Sequence, residues 1–420
     1  MHRRRIAVIG AGVSGLTAAY ILQRQADVTL YEAEDRLGGH AHTHELVAGD
    51  GQPVSLDTGF LVHNRSTYPH LLRLFAELDV ATQDSEMSMS VSCAGCGLQY
   101  AGGRGPSGLF PAAGNAVNPR YLRLLTEVPR FHRQARALLA GPTSEAETMR
   151  EFLGRGRFSG YFQSHFVTPL ISAVWSCAPQ LATDYPARYL LEFLSNHGML
   201  SIGGSHRWRT VVGGSQRYVA KAAKQLTAVH TATAVRAVIR HADGVDVHDD
   251  ADDCRRFDAA VIATHPDQAL ALLPSPSRLQ RQALAGIGYS VNPTLLHTDV
   301  SVLPRAARAR AAWNYAMPSC SADAAAVRVS YDLNRLQRLT TSTRYLVSLN
   351  AENEIPGRSV LRRMDYRHPI YTPDSVAAQR ELPRISDARL AFAGAYHGWG
   401  FHEDGCRSGV EAARRLGVDW

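Results

Sequence analysis

Apolar positions along this chain come in short blocks, and the change in their spacing marks the elements. Arg5 to Ile9 form a short apolar run, Leu16 to Gln23 carry apolar residues at helical spacing, and Val28 to Tyr31 form a second run that ends at Glu32. The pattern predicts strand, turn, helix, strand. Further along, "TVVGGSQRYVAKAAKQL" reads as a turn leading into a helix, and "AVHTATAVRAVIRHADGVDVHDD" alternates as paired strands do. "FDAAVIATHPDQALALL" reads as a strand ending at Ala263, then a loop and a helix. Residues 119–140 set Leu122, Leu124, Leu125, Val128, Phe131 and Leu138 among arginines, which predicts an amphipathic helix. Its first reading is a surface helix packed on the core, its second a helix touching a membrane surface. Near the end, Leu390 to Ala393 predict a strand, Gly394 a turn, and Asp404 or Gly405 the start of the last helix, with Asp404 suited to an N-cap.

The first unit carries chemistry as well as shape. Gly10, Gly12 and Gly15 match G-x-G-x-x-G between a strand and a helix. Gly10 would make the tight turn, Gly12 would let the backbone approach a pyrophosphate, and Gly15 would let helix and strand pack closely. The helix N-terminus then offers free N–H groups and a positive dipole end. Glu32, at the end of the second strand, is placed to accept hydrogen bonds from a ribose. The basic start and apolar run would also suit a signal peptide or an anchor, but the glycines break the run and no small-residue cleavage site follows. No transmembrane segment is predicted.

Downstream of Glu32 the chain reads "EAEDRLGGHAHT", and here it resembles the flavin-binding amine oxidase superfamily, in which an acid, an arginine and a double glycine follow the second strand. The resemblance implies FAD. It implies that Ser14, Ala33, Arg36, Gly38, Gly39, His40 and Thr43 join Gly10, Gly12, Gly15 and Glu32 at the cofactor, although His40 stands where arginine is usual. It adds Gly59 and Phe60 from "DTGF", Val235 at the adenine, Ala263 and Thr264 over the phosphates, and Gly394, Ala395, Asp404 and Gly405, whose helix would point its positive end at the flavin ring. Words such as "PLISAVWSCAP", "HRWRTVVGGSQRYV" and "FAGAYHGWGFHEDGCRSGVEAA" are similar to a narrower group of bacterial NAD/FAD-binding proteins related to the N-terminal region of plant cyclopropane fatty acid synthases. The implied fold is α/β: a discontinuous Rossmann-like FAD-binding domain from residues 1–75, 205–270 and 385–420, with an inserted α+β substrate domain from 76–204 and 271–384.

Composition narrows the picture. The 420 residues exceed what one core usually takes, and 45% hydrophobic with 20% charged residues is ordinary for a globular protein. The formal charge is +7, yet basic residues are scattered and do not interleave with aromatics, so nucleic-acid binding is not expected. Six cysteines in so long a chain suggest a reducing, cytoplasmic setting. Cys93 and Cys96 form a lone C-x-x-C, read as a glycine-rich loop because no second pair stands at zinc-site spacing. His40, His42 and His44 alternate, but they continue the flavin loop, and no metal is assigned.

Near the flavin the chain offers His402 and Glu403 as acid or base and Tyr396 and Trp399 as aromatic neighbours, with His297, Asn314 and Tyr315 as further candidates. The generic reaction is hydride exchange between a substrate C–H bond and flavin N5. Three readings remain open. Lysine occurs only at Lys221 and Lys224, whereas many amine oxidases use a substrate-domain lysine. The kinship with the cyclopropane synthase region points instead to an acyl or other apolar substrate. The others are an amine oxidase releasing peroxide and a non-catalytic flavin-bound partner of a lipid-modifying enzyme.

Overall fold

The computed structural model describes residues 3–49, 51–142, 147–201, 206–321 and 324–420. The first apolar runs become the centre of a parallel five-stranded sheet, ordered Ala228–His230, Ala26–Tyr31, Arg4–Ile9, Ala259–Ile262, Leu390–Phe392. These strands read as continuous apolar runs because both faces are covered. Successive side chains alternate between the faces. Ile6, Val8, Val28, Leu30, Val261 and Ala391 enter one core, while Ala7, Ile9, Tyr31, Ile262 and Phe392 enter another.

The first face is roofed by helices Val13–Leu22 and His402–Arg415, which lie side by side because glycines let them. A Cβ on Gly409 would fall 2.4 Å from the Ser14 carbonyl oxygen, and one on Gly405 would fall 2.6 Å from Val13 Cγ1. The second face is covered by the antiparallel meander Val235–Arg240, Val245–Asp249, Cys254–Phe257 and by helices Pro266–Ala271 and Arg278–Ala285.

A mixed seven-stranded sheet stands beside it, ordered Val360–Pro369, Tyr289–His297, Leu346–Leu349, Val329–Asp332, Trp313–Met317, Met89–Cys93, Gln99–Gly102. All its neighbours are antiparallel except Trp313–Met317 with Met89–Cys93. Its helical layer is built on a phenylalanine cluster, in which Phe131, Phe158 and Phe162 pack at ring separations of 5.1–5.9 Å. The amphipathic helix forms as expected over Pro119–Ala140, capped by Asn118, and Leu124, Phe131 and Ala135 are buried in this core. Among the described residues, no helix is long and apolar enough to cross a membrane.

Two boundaries differ from expectation. The last helix starts at His402, not at Asp404 or Gly405, and its N-cap is Phe401. Asp404 is instead the third helical residue, where its carboxylate reaches back to accept the Phe401 N–H at 3.1 Å. A side chain can close a helix start from inside the first turn as well as from the cap, and the sequence alone does not separate the two. The first helix starts at Val13, so Gly15 lies within it, where a Cβ would stand 1.9 Å from the Gly10 carbonyl oxygen.

Because the Gly409 contact is with main-chain oxygen, a methyl group there cannot be absorbed by a rotamer change. Gly409→Ala should cost about 1–3 kcal/mol and lower the calorimetric melting temperature; a variant that melts with the wild type would contradict this packing.

Candidate flavin and substrate site

The site forms where two helix N-termini meet. Gly10 takes φ +99°, and a Cβ there would lie 2.7 Å from the Ala263 carbonyl oxygen, so this loop accepts only glycine. Gly12 is different: a Cβ would meet nothing within 4 Å, which leaves open space against its backbone. No side chain caps the helix that starts beside it, and the contacts of Gly405 with Val13 and Ser14 bring the first turn of the C-terminal helix against it. Two positive helix ends therefore converge on one point, which favours an anion.

The segments named by the double glycine close over this loop. Gly38 donates its N–H to the Ala11 carbonyl at 2.9 Å, and a Cβ on Gly39 would lie 3.2 Å from Gly12 Cα. Arg36 holds the loop, donating to the Gly39 carbonyl at 2.8 Å while pairing with Glu34. Glu32 accepts the Ala11 and Glu34 N–H groups at 2.7 and 3.0 Å, so its carboxylate ties the glycine loop to the end of the second strand. Ala33 follows it on the exposed side, and Val235 opens the meander with its side chain packed on the second core. Ala263 donates to Ile9 at 2.7 Å, directly beneath Gly10, with Thr264 next to it. Gly394 donates its N–H to the Ser408 hydroxyl oxygen at 2.9 Å, and Ala395 abuts Gly405.

Buried Asp57 organises the opposite wall. It accepts hydrogen bonds from Thr43 Oγ1 at 2.6 Å, from Ser215 Oγ at 2.7 Å and from the Ser215 N–H at 2.9 Å. Burial pushes its pKa up to about 6 against these hydrogen bonds. Gly59 packs on the main chain of His40, and the neighbouring Phe60 ring stacks on His402 at 3.8 Å.

The reactive candidates separate. His402 faces Tyr218, with 3.3 Å between Nε2 and the phenolic oxygen, and burial, followed by His63, pushes its pKa down to about 3, so it is neutral at working pH. Glu403 is taken up elsewhere: its carboxylate accepts the His70 and Leu71 N–H groups at 3.1 and 3.0 Å at the start of helix Pro69–Glu77. That geometry makes Glu403 a helix cap. Tyr396 and Trp399 do not form a pair, because Tyr396 is buried in the core under the parallel sheet while Trp399 packs on the core of the mixed sheet. His297 binds Ser348 and Asn314 binds Ser90 and the Ala311 and Ser330 carbonyls, so both are occupied within the sheet; Tyr315 is buried beside them.

Other titratable side chains gather beside the double glycine. His40 has its ring 5.4 Å from that of His368 and 5.1 Å from that of Tyr366. His368 Nδ1 accepts a hydrogen bond from Asn292 Nδ2 at 3.0 Å, and burial pushes its pKa down to about 4. Burial also lowers His40 well below the ordinary imidazole range, with His368 as the next cause. No motif signalled His368, Tyr366 or Asp57, since two sit on a long edge strand and one lies two residues before Gly59. His42 and His44 share one face, with rings 4.1 Å apart, and bind Tyr366 and Thr58.

These residues suit a bound dinucleotide flavin. The uncapped N-terminus and the space beside Gly12 match a pyrophosphate, and His40 Nε2, which follows the double glycine and is buried without a protein partner, is a group that a polar ring edge would satisfy. Sheet, glycine loop and second sheet thus define an FAD-binding α/β oxidoreductase. The chain belongs to the flavin-containing amine oxidoreductases, whose family model matches residues 13–304. FAD is its cofactor. Among curated proteins it is similar to coproporphyrinogen III oxidase of Mycobacterium tuberculosis, 41% identical over 76 residues, a stretch that covers 17% of this chain and 16% of that one. Its fold matches cyclohexylamine oxidase from Brevibacterium oxydans, with TM-score 0.69 and 16% identity over 98% of each chain. It equally matches a CLA-producing fatty acid isomerase from P. acnes, with TM-score 0.70 and 15% identity over 99% of each chain.

The raised pKa of Asp57 has a sign that can be tested. A folded value of about 6 above an ordinary 3.8 means that the native state holds the proton more tightly, so this contribution is complete below pH 3.8 and is lost as pH rises through 6. The stability difference between wild type and Asp57→Asn, from denaturant titrations, should therefore fall between these two pH values and level off above; a difference independent of pH would refute it.

Proposed function

We propose that this flavoenzyme acts on an apolar, acyl-type substrate, which it dehydrogenates, reduces or isomerises at a carbon–carbon bond. When bound, FAD supplies hydride acceptance and return at ring atom N5. The chain's own contribution is to position the substrate, keep water out and provide neutral imidazoles for proton movement. The cofactor would be held by residues 1–75, 205–270 and 385–420, and the substrate by 76–204 and 271–384. Gly10, Gly12, Ser14, Gly15, Arg36, Gly38, Gly39 and Gly405 would form the cradle.

One observation carries the substrate class. Trp175, Phe193, His197, Trp399 and Phe401 form a continuous ring cluster, with neighbouring centroids 4.0–6.3 Å apart, in which Trp399 and Phe401 are half-buried and the other three are buried behind them. Its indole N–H groups and the His197 Nδ1–H are already committed to main chain. Trp175 Nε1 donates to the Trp399 carbonyl and Trp399 Nε1 to the Tyr189 carbonyl, both at 3.2 Å, and His197 Nδ1 donates to the Phe193 carbonyl at 3.0 Å. What remains is carbon apart from His197 Nε2, which suits a hydrocarbon chain and offers an ammonium group no carboxylate. The similarity in fold to a fatty acid isomerase supports this reading, and the similarity to cyclohexylamine oxidase supports the second, an amine oxidase that releases peroxide. His402 follows Phe401 in the chain and stacks on Phe60, and His40 and His368 are offered as the proton carriers, since the Glu403 carboxylate caps a helix. The free cysteines fit a reducing, cytoplasmic setting.

Incubation with unsaturated fatty acids and acyl lipids, followed by gas chromatography and mass spectrometry, should reveal a product with a new, moved or lost double bond. Trp399→Ala should raise KM about tenfold, which corresponds to about 1.4 kcal/mol of lost apolar contact. Peroxide release from amines with no acyl product would replace this reading by the second.

A further inference from the structure

Far along the mixed sheet, four side chains that no spacing connects come together. Cys93 and Cys96 flank the tight turn between strands Met89–Cys93 and Gln99–Gly102, His165 lies in a π-helical turn at 163–167, and Cys320 follows strand Trp313–Met317. Their ligand atoms all lie within 4.8 Å of one another. The expectation that the C-x-x-C stands alone is therefore corrected: its partners arrive from 69 and 227 residues away, counted from Cys96 to His165 and from Cys93 to Cys320. We propose that Cys93, Cys96, His165 and Cys320 bind a structural zinc ion.

The distances suit that ion. Zinc with thiolates at about 2.3 Å and imidazole nitrogen at about 2.0–2.1 Å makes a tetrahedron whose sulfur–sulfur edge is about 3.8 Å and whose sulfur–nitrogen edge is about 3.6 Å. Here Cys93 Sγ lies 3.7 Å from Cys320 Sγ, and Cys96 Sγ lies 3.5 Å from His165 Nε2. Three cysteines and one histidine form a closed structural set with no open position for substrate.

The surroundings are built for these ligands. Cys93 donates its N–H to Leu98 at 2.8 Å and accepts from Gly97 at 2.9 Å, and Gly97 takes φ +75°, which makes the turn that aims both sulfurs the same way. Gly95 leaves room for the third: a Cβ there would stand 2.9 Å from the Cys320 nitrogen. The Ala94 N–H donates to the Met317 carbonyl at 2.9 Å, locking the turn to the strand that leads to Cys320. His165 is fully buried, and its Nδ1 lies 3.2 Å from the Tyr161 carbonyl oxygen and 2.7 Å from Ser164 Oγ, an arrangement that leaves Nε2 free to face the sulfurs. The Tyr161 hydroxyl lies 3.6 Å from Cys96 Sγ, as a second-layer donor to a thiolate would. Cys96 and Cys320 are exposed, which provides the entry path.

The ion would fasten three segments distant in sequence: the hairpin, the strand beside it and the helical layer above. That layer continues through helix Thr168–Trp175 to Trp175, whose indole holds the Trp399 carbonyl. The zinc is therefore a clamp on the substrate-side scaffold and takes no part in redox chemistry.

The test is elemental analysis of untagged holoprotein, produced with zinc present and gel-filtered without chelator. Mass spectrometry of metals should find one zinc per chain beside FAD. Cys96→Ser and Cys320→Ser, both at exposed positions, should lose zinc at least tenfold and melt at lower temperature while retaining FAD, whereas Cys254→Ser, outside the cluster, should retain both. Cobalt added to stripped wild type should give intense tetrahedral thiolate bands at wavelengths beyond the flavin absorption. Wild-type protein that carries no zinc and gives no cobalt bands would overturn the proposal, as would a Cys93–Cys320 disulfide in the intact protein or stoichiometric iron in place of zinc.

Discussion

Everything in this molecule depends on how closely main chain can approach main chain at the first turn of two helices. Gly15 touches Gly10, Gly10 touches Ala263, Gly409 touches Ser14, and each contact would be blocked by a single methyl group. These contacts draw the beginning and the end of the described chain onto the same parallel sheet and set two uncapped or self-capped helix starts beside one open space. The last helix answers its own positive end with Glu403 and Asp404 in its first turn, whereas the first helix has no side-chain cap, so a pyrophosphate beside Gly12 would be favoured there.

Around this point the protein keeps its imidazoles uncharged, while its buried carboxylates lose their protons only near pH 6. His40, His368 and His402 are held neutral chiefly by burial, and Asp57 and Asp404 are pushed up to about 6 by the same cause. Neutral imidazoles can hand protons to and from a substrate without placing a fixed charge beside an apolar chain. The aromatic wall continues that logic, since its indole and imidazole N–H groups are spent on carbonyl oxygens.

Legibility in the sequence followed locality. The glycine loop, both flanking strands, the helix at 119–140 and the C-terminal strand were readable because each is set by residues within one or two turns. Pairing across the chain was not. Glu403 reads as a free carboxylate, yet helix Pro69–Glu77 comes from more than three hundred residues away to occupy it, as the separation of 333 positions from His70 records. Tyr396 and Trp399 are three residues apart but face different cores, because a glycine-rich turn lies between them. His165 and Cys320 carried no signal for the same reason: ligands gathered by a mixed sheet have no fixed spacing.

The central claim is that the FAD held between these helix ends serves an apolar carbon substrate. The most direct measurement is the anaerobic visible spectrum of the purified holoprotein before and after adding unsaturated acyl lipids, with amines as the parallel series. The account predicts flavin bands that acyl lipids perturb or bleach and amines leave unchanged. Flavin bleached by amines alone would contradict the substrate class, and a colourless protein that binds no FAD would contradict the account as a whole.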